Sequence, residues 1–225
     1  MIRSLTALIA LSAVLVVAGC GDDDSDSAKQ SGGGSETTAE SSQECAKVEA
    51  PAAKPDGGAK KPNGKLDPAK TYEVEFQTSC GDFTVTLDVK GAPNTAASFA
   101  SLSRSGFYDD TVFHRIVPGF VIQGGDPTGT GTGGPGYKTV DKPPANASYT
   151  RGVVSMAKTA AEASGTSGSQ FYVVTGADAG LPPEYAIVGN VTAGMDAVMR
   201  IEALGTPSEQ PSRPVVIEKA TVSES

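Results

Sequence analysis

The segment 113–126 reads Phe-His-Arg-Ile-Val-Pro-Gly-Phe-Val-Ile-Gln-Gly-Gly-Asp, and Arg115 within it is the residue best equipped for chemistry. A guanidinium is permanently charged and carries a rigid fork of donors, so it can favour one electronic state of a neighbouring group without titrating. Strand alternation sets Val121 and Gln123 on one face and turns Ile122 to the other, displaying an apolar and an amide side chain together. That make-up suits non-covalent recognition of a small ring beside a polar bond. Covalent chemistry finds little support, because no serine, cysteine or carboxylate motif near His114 supplies a nucleophile arrangement. His114 reads as a structural neighbour of Arg115. With three cysteines and this single histidine, zinc sets are excluded and no metal is expected.

Two glycine-rich patterns nearby resemble nucleotide sites and fail on their context. Gly129-Thr130-Gly131-Thr132-Gly133-Gly134 has dinucleotide-type spacing, but Pro135 and Pro143-Pro144 follow where a helix would have to start. The run 131–136 approaches a phosphate-binding loop, yet Tyr137 occupies the lysine position. Both read as loop, and no cofactor is expected. The net charge of −8, with no Lys/Arg run longer than a pair, excludes a nucleic-acid surface.

Short strands must position these side chains. Val74 and Phe76 alternate with Glu73, Glu75 and Gln77, and Phe83, Val85, Leu87 and Val89 alternate with Thr84, Thr86 and Asp88, giving two half-buried strands around a turn at Cys80-Gly81-Asp82. Further strands are expected over 112–117, 121–124, 153–156, 170–174, 186–191 and 215–222. A helix over 93–102 has Ala96, Phe99 and Leu102 on one face and Gly106 past its end. A second, over 195–204, has Met195, Val198, Met199 and Glu202 at helical spacing and Thr192 as its candidate N-cap. Many short strands and two helices make the fold mainly β, a closed eight-stranded antiparallel barrel that leaves no exposed sheet edge.

The segment 113–126 is similar to the signature of the cyclophilin family of peptidyl-prolyl cis/trans isomerases. A second match is Ser155-Met156-Ala157-Lys158 followed by Gly168-Ser169-Gln170-Phe171-Tyr172, and the resemblance covers about 71–222. It implies an eight-stranded barrel with a helix over each end and a groove on its outer face. It further implies Arg115 as the catalytic residue, Phe120, Val121, Tyr172 and Leu181 as the proline pocket, and Gln123 and Gln170 as peptide-holding amides. The backbone at Ala157 and Lys158 would pair with an extended substrate. Taken singly, Phe120, Val121 and Leu181 read as core, Arg115 as an ion-pair partner and Gln123 as a solvent-facing residue; the shared motif makes them a site. The sequence departs from the common family pattern at Gly180 (a tryptophan in many members), Tyr185 (a pocket histidine), Val121 (a methionine) and Lys158 (an asparagine). Weak cyclosporin binding follows from the missing indole. The implied partners are proline-containing polypeptides, and a monomer is expected. The alternative is a proline-peptide binding or chaperone module with weak catalysis; a structural envelope protein is a third reading.

The organisation outside the domain is legible in composition. Arg3, the apolar run 8–17 and small residues before Cys20 have the layout of a secretory signal, too short to span as an ordinary membrane helix. Val17-Ala18-Gly19-Cys20 resembles a bacterial lipobox, which implies a signal peptide over 1–19, a lipidated Cys20 and a place on the outer side of the cell membrane; a plain cleaved signal is the other reading. Residues 20–70 are expected as tether and linker. The part 21–42 is polar and small, and 46–70 is rich in proline, glycine and lysine. The isomerase-like domain then runs over 71–225. Cys45 and Cys80 remain as an even pair in an exported chain, which reads as a disulfide clamping linker to hairpin; two unpaired thiols are the alternative.

Overall fold

The computed structural model describes residues 44–225. Cys20 and the signal-like run lie outside the described residues. The element order is β1 (Tyr72–Thr78), β2 (Phe83–Leu87), α1 (Pro93–Arg104), β3 (Thr111–Val112), β4 (Arg115–Val117), β5 (Val121–Gly124), β6 (Thr139–Val140), β7 (Val153–Met156), β8 (Thr166–Ser167), β9 (Phe171–Val174), β10 (Ile187–Ala193), α2 (Met195–Glu202) and β11 (Val216–Glu224).

The mainly-β fold with two helices is as expected, and the alternation in β1 and β2 is realised: Val74, Phe76, Phe83 and Val85 are buried and pair Val74↔Val85 and Phe76↔Phe83. The main sheet runs β3-β11-β1-β2-β10-β7-β9-β5-β4, with every pairing antiparallel. Its two ends lie on one chain segment, because β3 pairs with β11 and β4 with β5. A bridge between Val112 and Asp126 joins the same edges. The strand expected over 112–117 is thus two pieces. Phe113 is drawn wholly into the core and donates its N–H to Val215 O (3.0 Å), which breaks the alternation at Phe113-His114. The two-residue strands β6 and β8, which pair only with each other, have no sequence signal.

The interior is aromatic. Phe171 lies 5.3 Å from Phe76, 5.4 Å from Phe99, 5.7 Å from Tyr108 and 6.1 Å from Phe113, centroid to centroid. Such pairs add to the burial of their large areas. Helix α1 buries the expected Ala96, Phe99 and Leu102 and starts on Pro93, whose missing N–H costs nothing in the first turn. Its end is a Schellman motif: Phe107 N–H bonds Leu102 O, Gly106 N–H bonds Ser103 O, and Gly106 takes φ 69°. In α2 the buried stripe is Ala197, Val198 and Ile201. Thr192 does not cap it. The strand β10 continues to Ala193, and the N-cap is Gly194 at φ 73°, where an added Cβ would meet Asp82 O at 2.1 Å.

Residues 46–70, expected as a linker, have no helix or strand, yet their first part lies along the domain as a strap. Cys45 is joined to Cys80, and Ala46 N–H bonds Ser79 O, Lys54 N–H Pro127 O, Gly57 N–H Gly134 O and Ala59 N–H Pro135 O. The Lys54 ammonium caps the carbonyls of Gly106, Phe107 and Asp109, and Ala59 and Leu66 pack on the core. A proline-rich stretch with few large apolar residues shows no periodicity, but its unpaired backbone donors can still dock on loop carbonyls.

Candidate active site

The register of the sheet builds the site. Arg115 on β4 stands opposite Gln123 on β5, Gln123 opposite Tyr172 on β9, and Tyr172 opposite Ser155 on β7. Residues in register on adjacent strands share a face, so one row carries a cation, an amide, a phenol and a hydroxyl side by side. The row two residues away holds Val117, Val121 and Val174. The intervening row, Ile116, Ile122, Val173 and Val154, faces the core, and all four are wholly buried. The alternation of Val121 and Gln123 against Ile122 is thereby realised.

Loops complete the walls. After β4 the chain turns through Gly119, whose N–H is held by Glu202 Oε1 at 2.7 Å, and presents Phe120, which takes Thr175 N–H on its carbonyl at 2.9 Å. From the other side comes the loop carrying Leu181 and Tyr185, fixed by reciprocal bonds to one hydroxyl: Tyr149 Oη donates to Tyr185 O (2.8 Å) and accepts Tyr185 N–H (3.0 Å). The Tyr185 ring meets Tyr149 and Tyr172 edge-on. Arg115, Phe120, Val121, Gln123 and Tyr172 thus line a cleft of about 250 Å³ together with Ala157, Lys158, Leu181 and Tyr185. Gln170 is the one predicted residue outside that lining. It borders an adjoining groove of about 260 Å³ that shares Gln123, Ala157 and Lys158 and is spanned by the Lys138–Glu162 ion pair at 2.7 Å.

The polar groups form a chain. Arg115 Nε donates to Glu209 Oε2 (2.7 Å) and Nη1 to Gln123 Oε1 (3.4 Å); Gln123 Nε2 donates to Gln170 Oε1 (3.1 Å), and Gln170 Nε2 to Gly133 O (2.9 Å). Ala157 N–H is engaged by Gln170 O at 2.9 Å, which leaves its carbonyl for any added strand. Lys158 is buried along its stem, pairs with Glu184 at 3.1 Å and lies 5.3 Å over the Tyr185 ring. Burial pushes the Tyr172 phenol well above its ordinary range, against the pull of the facing Ser155 hydroxyl, although neither hydroxyl reaches hydrogen-bond geometry with a partner among the described residues. His114 also lacks partners there; burial holds its imidazole below the usual value, against the pull of Asp126. It does not line the cleft.

The glycine-rich loop is an anion cradle already filled. Asp126 is wholly buried and accepts N–H bonds from Thr128, Gly131 and Gly133 and the Thr128 hydroxyl at 2.5–3.2 Å. Burial opposes its charge, but these donors together hold its carboxyl below the usual range. A carboxylate of the chain itself sits where a phosphate would go. Among the described residues no cluster of three or more His, Cys, Asp or Glu could hold a metal ion. Sequence reasoning misses Glu209, which lies in the polar run Thr206-Pro207-Ser208-Glu209-Gln210-Pro211-Ser212 without motif or periodicity.

A family model described as cyclophilin type peptidyl-prolyl cis-trans isomerase matches residues 73–222. A peptidyl-prolyl cis-trans isomerase of Arabidopsis thaliana is 40% identical over 147 residues, covering 64% of this chain and 87% of that protein. A peptidyl-prolyl cis-trans isomerase-like 1 of Gibberella zeae is 39% identical over 159 residues, 68% of this chain and 96% of that one. The crystal structure of a cyclophilin type isomerase of Cryptosporidium parvum superposes with a TM-score of 0.63 at 33% identity, covering 68% of this chain and 98% of that one. The same Cryptosporidium protein, solved in the presence of the dipeptide Ala-Pro, superposes at 0.62 over 67% of this chain and 98% of that one, again at 33% identity. With its family signature spread over the strands that build the cleft, the chain belongs to the cyclophilin-type peptidyl-prolyl cis-trans isomerases.

Proposed function

We propose that the cleft catalyses cis/trans rotation about X-Pro bonds in exported polypeptides. The observation that carries this reading is the Arg115 guanidinium, in register with the Gln123 amide and sharing one cleft with Phe120, Val121 and Leu181. Rotation about the bond has a barrier of about 18–20 kcal/mol because amide resonance must be broken. In the twisted state the nitrogen is pyramidal and more basic, so a donor aimed at it favours the transition state over either planar form. Phe120, Val121, Tyr172, Leu181 and Tyr185 take the proline ring, Gln123 and Gln170 hold the flanking peptide, and Arg115 supplies the donor. The step is proton-neutral and needs no cofactor.

The test is isomerisation of a short X-Pro peptide by the wild type beside Arg115→Ala. A charge-assisted hydrogen bond contributes about 1.5–3 kcal/mol, so the variant should lose about 10- to 100-fold in rate. Gly180, next to Leu181, has no side chain where many family members carry a tryptophan, which favours the second reading, a binding module with weak catalysis. Peptide binding with no turnover in the wild type would select it.

The cellular setting belongs to the same proposal: Cys20 carries the lipid, and the domain faces the extracytoplasmic side of the membrane. The Cys45–Cys80 disulfide supports this, since such bonds persist in oxidising compartments. Labelled palmitate incorporated by the wild type and not by Cys20→Ser is the expected result; equal incorporation, or none in the wild type, removes the anchor.

A further inference from the structure

Arg115 takes its ion-pair partner from a loop that folds back on itself after α2. Gly205 pairs with Pro211, Ser212 N–H bonds Leu204 O (2.7 Å), the Thr206 hydroxyl bonds Gln210 O (2.8 Å), and Glu209 N–H bonds Thr206 O (2.9 Å). Within it Glu209 has φ 63°, in the left-handed region that a glutamate adopts only at a cost in free energy. Held in that conformation it meets β4 twice. Its carbonyl accepts Ile116 N–H at 2.8 Å, and its carboxylate accepts Arg115 Nε at 2.7 Å.

The Ile116 N–H bond accounts for where the Glu209 backbone lies, but stability does not explain the side-chain pair. The side chains of Arg115 and Glu209 are 34% and 51% exposed, and ion pairs that wet contribute little to folding. A strained backbone that supports a weakly stabilising pair is the pattern of a functional constraint. The geometry of the contact indicates which one. By engaging Nε, at the base of the guanidinium fork, the carboxylate fixes the plane of the group and leaves both Nη atoms clear of it. Nη1 points to Gln123 in the cleft row, and no carboxylate pairs with Nη2 among the described residues. An arginine held only at its tip would spend the donors the substrate needs; one held nowhere would have to be ordered in each transition state.

We propose that Glu209 is a positioning residue for the isomerisation, holding the Arg115 guanidinium so that its Nη donors face the X-Pro bond. The inference rests on the role given to Arg115 above. Its test uses the full chain and magnetisation-exchange NMR on an X-Pro peptide, which separates the interconversion rate on the enzyme from Kd. Glu209→Gly removes the carboxylate while suiting the left-handed backbone, so its Tm should be unchanged or higher. Its on-enzyme rate should fall about 5- to 10-fold with Kd changed less than about twofold, the size of a coupling between contacting side chains. Glu209→Gln, which retains an acceptor oxygen for Nε, should restore most of the rate. In an Arg115→Ala background Glu209→Gly should have no further effect. A wild-type or faster rate in Glu209→Gly, or an equal slowing in the Arg115→Ala background, overturns the inference while leaving Arg115 in place. A wild-type rate in Arg115→Ala overturns the assignment of Arg115, and this inference with it.

Discussion

Phe171 and Tyr172 are consecutive on β9, and the two faces they serve are built on different terms. Phe171 enters an interior of rings and aliphatic groups that has almost nothing polar to satisfy. Tyr172 joins a smaller cluster with Val121, Tyr149, Val153 and Val174 on the outer face, packed by Phe120, Leu181 and Tyr185. There every ring but Phe120 carries a hydroxyl, and that of Tyr172 has no partner among the described residues. The inner face gains stability from complete burial; the outer gives some of it up to keep a wet, partly open surface for binding.

The sharpest way to break that contrast is Phe171→Ala. Losing a ring in contact with four others should cost about 3–5 kcal/mol in urea unfolding, and a loss under about 1 kcal/mol would mean the interior repacks freely. Replacing both Cys45 and Cys80 by serine tests a third region, away from the cleft. Opening a span of 35 residues should lower stability by about 4 kcal/mol in the chain-entropy view while leaving the isomerisation rate of the folded protein unchanged. A changed rate would tie the strap to the cleft. Tyr172→Phe is the smallest perturbation and should have the opposite sign to Phe171→Ala. Removing a buried hydroxyl without a partner should leave stability equal or raise it by about 1 kcal/mol, and peptide affinity should shift instead. Its alkaline behaviour sharpens the point. The folded phenol titrates above its unfolded value, so its contribution is present below about pH 10 and is lost as pH rises beyond that; Tyr172→Phe should flatten this fall in urea-unfolding stability measured across that range.

Much of this division is legible in the order of the residues. Period-two alternation distinguishes Ile122 from Val121 and Gln123, and Val74 and Phe76 from their polar neighbours, because one buried face forces the pattern. Family resemblance gathers Ala157, Lys158, Leu181 and Tyr185, which no local pattern could bring to β5. What stays hidden depends on pairings with no local signature. The break at Phe113-His114 arises because a second strand end, at Val215, competes for the backbone. Thr192 sits at a bulge in β10 because Val191 and Ala193 on either side of it pair with Val85 and Thr84, against a reasonable capping propensity. The strap is held through backbone donors, which every sequence has, and Glu209 acts through a φ angle and one carboxylate in a run of ordinary polar residues.

The row from Arg115 through Gln123 and Gln170 to Gly133 has a further consequence. Arginine can only donate and a backbone carbonyl can only accept, so the row has one permitted sense, and neither amide can flip without breaking the bonds on both of its sides. The unspent amide hydrogens and oxygen lone pairs are therefore fixed in order from the cleft into its adjoining groove. The two amides thus present their remaining donors and acceptors in a set orientation, without a rearrangement that would disrupt the chain.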